Sequence, residues 1–365
     1  MSRQEASSRL LCAFDFYGAG NIGDDLMIDG LRRAASLLEP RPRIVCACAH
    51  DIASQRRRIV GVRWLDSAAF DALTPEAGDV WVGAGGTPFQ MTSGDWFLRW
   101  LEGKGSQMDG AAHRVLLCVG AEDEIEGEAD RFSRIARRFD RISTRDEHAA
   151  GVVRSLGVDT GRVFAGADLA DISLAPLTKS STRRPAFDLG LVALNEGNDA
   201  ALAETLGAFV AESNGCATFI AGDVRGLAGF ESDLARAART SVASVDAPLL
   251  APAYAGGSME DLLVPFTMCE RVVSWRYHGL LAAAWLGRRV GAVARSSKVR
   301  ALAEDLGVPW RPSPVSVDDL RALSRDAVVV SRELLQSRRR LAIEALSWTL
   351  GIELDATHAA PLRRA

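Results

Sequence analysis

The sequence predicts an α/β protein with two Rossmann-like domains facing a cleft, followed by C-terminal helices. Three observations carry this reading. Short apolar runs alternate with amphipathic segments through most of the chain, the pattern of βα units on a mostly parallel sheet. A polar stretch with two prolines, Ala175–Pro185, breaks the rhythm once and reads as a linker, after which the alternation restarts. The length of 365 residues favours two cores over one. The expected domains are residues 1–178 and 179–365.

In the first half, strands are expected at Leu11–Phe16, Arg43–Ala49, Val80–Val82 and Val115–Val119, with shorter ones at Arg141–Ser143 and Val163–Ala165. Amphipathic helices are expected at Asp24–Leu38, Trp96–Leu101 and Asp130–Phe139. After the linker, strands are expected at Leu189–Leu194, Cys216–Ala221, Arg271–Ser274 and Arg289–Ala294. Helices fall between them at Ala200–Ser213, Asp233–Thr240 and His278–Leu286. From Val315 to Leu354 the chain reads as helical, with Leu320, Leu323, Val328, Leu334 and Leu335 near helical spacing. In open parallel sheets ligands bind beyond the carboxyl ends of the strands, so the loops that follow strands are where chemistry is sought.

The first such loop is Gly18-Ala19-Gly20-Asn21-Ile22-Gly23, followed at once by Asp24 and Asp25. It matches the G-x-G-x-x-G pattern of a dinucleotide fingerprint. The aspartates suit a helix N-terminus but occupy the place of an anionic pyrophosphate. A second turn, Gly83-Ala84-Gly85-Gly86, follows a strand directly; it reads equally as an anion nest or as a tight turn with close helix packing. A third, Ser143-Thr144-Arg145-Asp146-Glu147, sends Arg145 either into the cleft or onto a neighbouring carboxylate. The strongest loop is Arg276-Tyr277-His278, where an apolar strand hands over to an apolar helix. A buried arginine needs an anionic partner, and an anionic ligand held by the guanidinium fork and the helix N-terminus supplies one. Lys298 follows one strand later, in a polar βα loop.

Composition excludes several classes. A net charge of -4 gives no footprint for nucleic acid. The six cysteines are scattered without a C-x-x-C or Cys/His cluster, so they read as buried thiols, and no metal is expected. No apolar run approaches the ~20 residues of a membrane span, and the N-terminus lacks a leader pattern, so a cytoplasmic protein is expected. The runs Arg56–Arg58 and Arg338–Arg340 read as solvated faces, with contact to phosphate or a membrane surface as the alternative.

The order of these motifs resembles the polysaccharide pyruvyl transferase family. The matching elements are Gly18-Ala-Gly-Asn21-Ile-Gly23-Asp24, the glycine turn with Thr92-Ser93, Ser143-Thr-Arg145-Asp146, Ala167-Asp168, Arg276-Tyr-His278 and Lys298. The resemblance implies a glycosyltransferase-B-like fold. It also implies transfer of a pyruvyl group from phosphoenolpyruvate to a glycan, or to its lipid- or nucleotide-linked precursor, with phosphoenolpyruvate as a substrate and no separate cofactor. It places Arg276 at the donor site, with His278 as proton carrier and Asp24 or Asp168 orienting the sugar. Asn21, Gly85, Gly86, Arg145 and Lys298 are the remaining candidate substrate contacts. Three places depart from the family pattern: Asn195 where an arginine is frequent, Met91 where an acid is usual, and an acidic Gly120-Ala-Glu122-Asp-Glu124 in place of a glycine-rich loop. Three other readings stay open: a nucleotide-sugar glycosyltransferase, a nicotinamide-dependent oxidoreductase with Asp51 on the ribose, and an inactive homologue that only binds.

Overall fold

The structure, a computed structural model, describes residues 9–14, 16–48, 50–92, 94–104, 108–123, 125–177, 184–193, 200–222, 247–252 and 257–354. It divides into two α/β units. The first comprises residues 1–18, 24–173 and 336–365, and the second 19–23 and 174–335.

The first unit holds a parallel sheet of β1 (Arg9–Cys12), β2 (Arg43–Cys48), β3 (Val62–Asp66), β4 (Val80–Ala84), β5 (His113–Val119), β6 (Arg141–Thr144) and β7 (Val163–Ala165). Their order is β3-β2-β1-β4-β5-β6-β7. The second unit repeats the plan with β8 (Phe187–Val192), β9 (Ala217–Ile220), β10 (Leu249–Leu250), β11 (Cys269–Ser274), β12 (Arg289–Ala294), β13 (Trp310–Pro312) and the antiparallel β14 (Val328–Val329). Its order is β10-β9-β8-β11-β12-β13, with β14 beside β12. Each order reverses once, between β1 and β4 and between β8 and β11. Those are the switch points where adjacent loops diverge and leave room for a ligand.

Central strands are buried on both faces, which is why they appear in the sequence as continuous apolar runs. In the second unit Leu189, Leu191, Phe219, Val273, Trp275 and Val293 pack with Leu206, Leu320 and Leu323 from covering helices. Each such side chain is worth about 1.5–3 kcal/mol of burial. Helix starts are specified locally. Asp51, Asp66 and Asp146 each accept a backbone N–H of the first turn, and Ser258 with Asp261 and Ser316 with Asp319 form reciprocal capping boxes. Asp51 therefore serves as a helix cap, and not as the ribose ligand that a dehydrogenase would need.

Several expectations are corrected. β1 ends at Cys12, and Phe14, Phe16 and Tyr17 lie beyond the ladder, in an aromatic cluster: Phe14 to Phe97 5.0 Å, Phe16 to Tyr17 5.0 Å. β3 was not expected, because only Trp64 of its five residues is buried. Ala175-Pro176-Leu177 is not linker but the end of a helix, Ala170–Leu177; residues 178–183 lie outside the described residues. The helix expected at Asp233–Thr240 also lies outside them. Val328 belongs to β14 and not to a helix, and it separates the helices Val317–Asp326 and Arg332–Leu350. The last helix, expected with the second domain, groups with the first unit from Gln336 onward.

The arginine runs are also corrected. Arg58 is buried and its Nη1 lies 2.8 Å from Asp25. Arg338 lies 3.3 Å from the buried Asp171. Helical geometry turns Arg58 and Arg338 inward; Arg56 and Arg57 face water, while Arg339 and Arg340 are half-buried. The six cysteines are free thiols; five are buried and Cys216 is exposed. Among the described residues no helix is long and apolar enough to cross a membrane.

Candidate functional site

In the first unit, the switch point is framed by the segment after β1 and the turn after β4. Tyr17 is fully buried and its hydroxyl donates to the Ala84 carbonyl at 2.6 Å. Burial foremost, then the neighbouring Cys46, Cys12 and Asp24, pushes its phenol well above the ordinary range. Gly85 and Gly86 follow in the left-handed region, with φ of 66° and 70°. Their amides face inward: Gly85 N–H donates to the Leu117 carbonyl at 2.8 Å and Gly86 N–H to Met27 Sδ at 3.2 Å. An anion nest would need those donors free, so the tight-turn reading is the one the geometry supports. A side chain at Gly85 would overlap Met27, which accounts for the glycine.

Asp24 and Asp25 both lie in the first turn of the helix Ile22–Ala35, yet their settings differ. Asp25 is fully buried and accepts from Gln55 Nε2 at 2.9 Å and from Arg58 at 2.8 Å. It is a structural group. Asp24 retains 9% exposure.

Arg145 follows β6 with only 2% of its side chain exposed, 3.8 Å from Asp146 and 4.0 Å from Asp168. Its Nη2 also donates to Thr87 at 3.3 Å, and its guanidinium packs so closely on Gly120 that a side chain there would overlap it. Asp168 is fully buried and accepts from Ala170 N–H at 2.8 Å. Arg145 and Asp168 are thus brought together inside the unit. Glu122, one of the three departures, is also fully buried and accepts from Thr92 at 2.5 Å, while Thr92 lies 2.8 Å from Gln90. An acid therefore stands beside Thr92 although Met91 does not supply it. Ser93 and Asn195 lie outside the described residues.

In the second unit, β11 ends at Ser274 beside Val192 of β8, so Arg276-Tyr277-His278 emerges at the switch point. Ser274 Oγ accepts the Arg276 N–H at 3.1 Å and donates to the Arg276 carbonyl at 2.8 Å, which fixes the turn. Arg276 is the N-cap of the buried helix Tyr277–Trp285 and makes no side-chain cap bond. A guanidinium has no acceptor, so it cannot cap the helix N-terminus. The next helix, Ser297–Asp305, repeats this: Ser296 makes no side-chain cap bond and Lys298 lies in the first turn, just past β12. Two helix N-termini on adjacent strands, each with a basic residue, form an anion-attracting edge.

The loop 19–23 belongs to this second unit. Gly23 lies against the His278 imidazole, and a methyl group there would overlap the ring. Asn21 Oδ1 accepts the Gly23 N–H at 3.0 Å. Ile22 N–H donates to the Gly222 carbonyl at 3.3 Å. A Cβ on Gly222 would stand 2.8 Å from Arg276 Cδ. Asn21, Arg276 and His278 are therefore gathered at one edge, with Lys298 one strand away. Sequence reasoning missed Gly222; its only signal was a glycine just past an apolar strand.

Two doubly wound parallel sheets in one chain define the class, the glycosyltransferase-B-like α/β proteins. Solved structures of that class superpose over nearly the whole chain. A Listeria monocytogenes protein described as a UDP-N-acetylglucosamine 2-epimerase is 12% identical, with 99% of this chain and 98% of that chain covered and a TM-score of 0.63. UDP-N-acetylglucosamine 2-epimerase from Rickettsia bellii is 13% identical, covering 88% and 94%, with a TM-score of 0.57. A glycosyltransferase from Rickettsia africae is 7% identical, covering 98% of each, with a TM-score of 0.51. At such identities the likeness is one of fold alone. No protein of curated function matches the sequence. The family is given by its sequence model: residues 21–297 match polysaccharide pyruvyl transferase, and the chain belongs to that family.

Proposed function

We propose that this chain transfers a pyruvyl group from phosphoenolpyruvate to two hydroxyls of a sugar in a polysaccharide or its precursor. The observation that carries the donor assignment is the edge of the second sheet, where Arg276 and Lys298 accompany two helix N-termini without side-chain caps. Phosphoenolpyruvate carries a carboxylate and a phosphate, and such an edge suits paired anionic groups.

In this reading His278 delivers a proton to the methylene carbon of the donor. The adjacent carbon gains oxocarbenium character and takes the first sugar hydroxyl. The carbon–oxygen bond to phosphate then breaks, and the second hydroxyl closes the ketal. Of the two hydroxyl protons lost, one balances the new methyl C–H and the other leaves with inorganic phosphate. Asp24, buried in the first turn of its helix but less completely than Asp25, is the carboxylate we assign to orienting the sugar hydroxyl. Arg145 and Asp168, both buried and 4.0 Å apart, are assigned to holding the turn after β6 and not to touching substrate.

The test is a thermal-shift titration with phosphoenolpyruvate on the wild type and on Arg276→Ala. Stabilisation of the wild type that is lost in the variant is expected; at a hundredfold excess over Kd, binding adds about 2.7 kcal/mol. Stabilisation by a uridine diphosphate sugar alone would replace this reading with a glycosyltransferase one. Silence towards both would favour a binding protein. Phosphate release in the presence of glycans separates an active transferase from an inactive one.

A further inference from the structure

The geometry points to Gly23 and Gly222 as positioning residues for the pair His278 and Arg276, fixing the seat of the imidazole and of the guanidinium stem. This rests on the donor-site reading above and extends it to residues that carry no side chain.

The atoms of His278 nearest to a side chain built at Gly23 are Nδ1, Cγ and Cε1. The imidazole therefore seats that edge against the Gly23 backbone and turns the Nε2 edge away from it. Any larger residue at 23 would push the ring from its seat. On the other flank, the Arg276 stem lies against Gly222, where an added Cβ would meet Cδ at 2.8 Å and Nε at 3.3 Å. The two glycines are joined: the Ile22 N–H, one residue before Gly23, donates to the Gly222 carbonyl at 3.3 Å. Asn21 holds the other end of the loop through the Gly23 N–H at 3.0 Å. One short hydrogen-bonded path thus sets both the guanidinium and the imidazole. Neither glycine has a φ in the left-handed region, so backbone strain does not explain them and close approach does. A displacement of about 1 Å in a catalytic group costs roughly 100-fold in rate, which makes such steric stops consequential.

The experiment uses the full-length protein labelled with ¹³C and ¹⁵N at histidine. The chain has five histidines, and His278→Gln assigns the signal. Gly23→Ala is expected to shift the His278 ring resonances and to move the Nε2 signal, with the Kd for phosphoenolpyruvate within about threefold of wild type by calorimetry. Gly222→Ala is expected to raise that Kd tenfold or more and to leave the His278 signal in place. Gly151→Ala, at a helical glycine whose added Cβ meets no atom within 4 Å, is the control and changes neither. If Gly23→Ala fails to fold, Asn21→Ala adds no bulk, frees the loop and is expected to shift the same ring signal. An unmoved His278 signal in a folded Gly23→Ala protein overturns the proposal, as does an unchanged Kd in Gly222→Ala. A wild type that does not bind phosphoenolpyruvate sinks the donor reading while the ring signal still judges the contact with Gly23.

Discussion

At the scale of single residues, Asp25 and Arg58 show how charge is placed inside the fold with a counter-charge. Asp25 and Arg58 are both without exposure, and Gln55 completes the carboxylate's hydrogen bonds. Removing one partner strands the other, at a cost of about 3–5 kcal/mol. Asp25→Asn is therefore expected to lower urea stability by that amount, while Asp25→Leu combined with Arg58→Met recovers most of it; a double variant no more stable than the single one would refute the account. The sequence displayed this pair poorly. Arg58 stands in a run of three arginines, and nothing in a run says which member points inward. The helix Ile52–Arg58 decides it: Gln55 and Arg58, three apart, share its buried face. The place of Arg276 and His278 at a strand-to-helix junction, by contrast, was legible, because the basic pair stands between two apolar runs.

At the scale of elements, apolar runs exposed the central strands and hid the marginal ones. β5 and β12 are long and buried, and their runs are plain. β3 is edge-like, with exposed and half-buried residues around Trp64, so its run never formed in the sequence. The left edge of β1 depends on an ion pair that no periodicity reveals. Arg9 Nε donates to Asp79 Oδ1 at 2.9 Å, and Glu76 N–H donates to Asp79 Oδ2 at 2.7 Å, tying the start of β1 to the entry of β4. Burial raises the Asp79 pKa, but the Arg9 hydrogen bond and the Glu76 amide outweigh it, and the carboxyl stays below its usual range. A depressed folded-state pKa gives stability that is complete above the unfolded value, about 3.9, and that fades as pH falls through the folded value. The melting-temperature gap between wild type and Asp79→Asn is expected to be constant from about pH 7 to 5 and to close below about pH 4. A gap that widens in acid would contradict the ion-pair account.

At the scale of the whole molecule, chain order and unit membership differ at two places, and neither was visible in the sequence. The loop 19–23 interrupts the first unit, and the tail from Gln336 returns to it. Alternation of apolar and amphipathic runs locates a break at Ala175–Pro185 because composition changes there. It cannot follow a helix whose apolar face serves one unit while its sequence follows the other. The helix Arg332–Leu350 is such an element. Ala342, Ile343, Ala345 and Leu346 are buried, Arg338 pairs with Asp171, and Trp348 packs on Phe164 with ring centroids 5.4 Å apart. Leu354 bridges to Leu38, and the Glu353 carbonyl accepts the Glu39 N–H at 3.3 Å. Deleting residues 336–365 would expose Ile343 and Leu346 partners worth about 1.5–3 kcal/mol each and leave Asp171 buried without Arg338. Hydrogen exchange on the truncated protein is therefore expected to show loss of protection in β6, β7 and the first turn of the helix Ala170–Leu177, residues 170–173, all of the first unit. Protection in β8, β11 and β12, whose core contains no residue of the deleted tail among the described residues, is expected to remain. If protection falls equally in both sets of strands, the tail stabilises the chain as one cooperative body, and its assignment to the first unit is wrong.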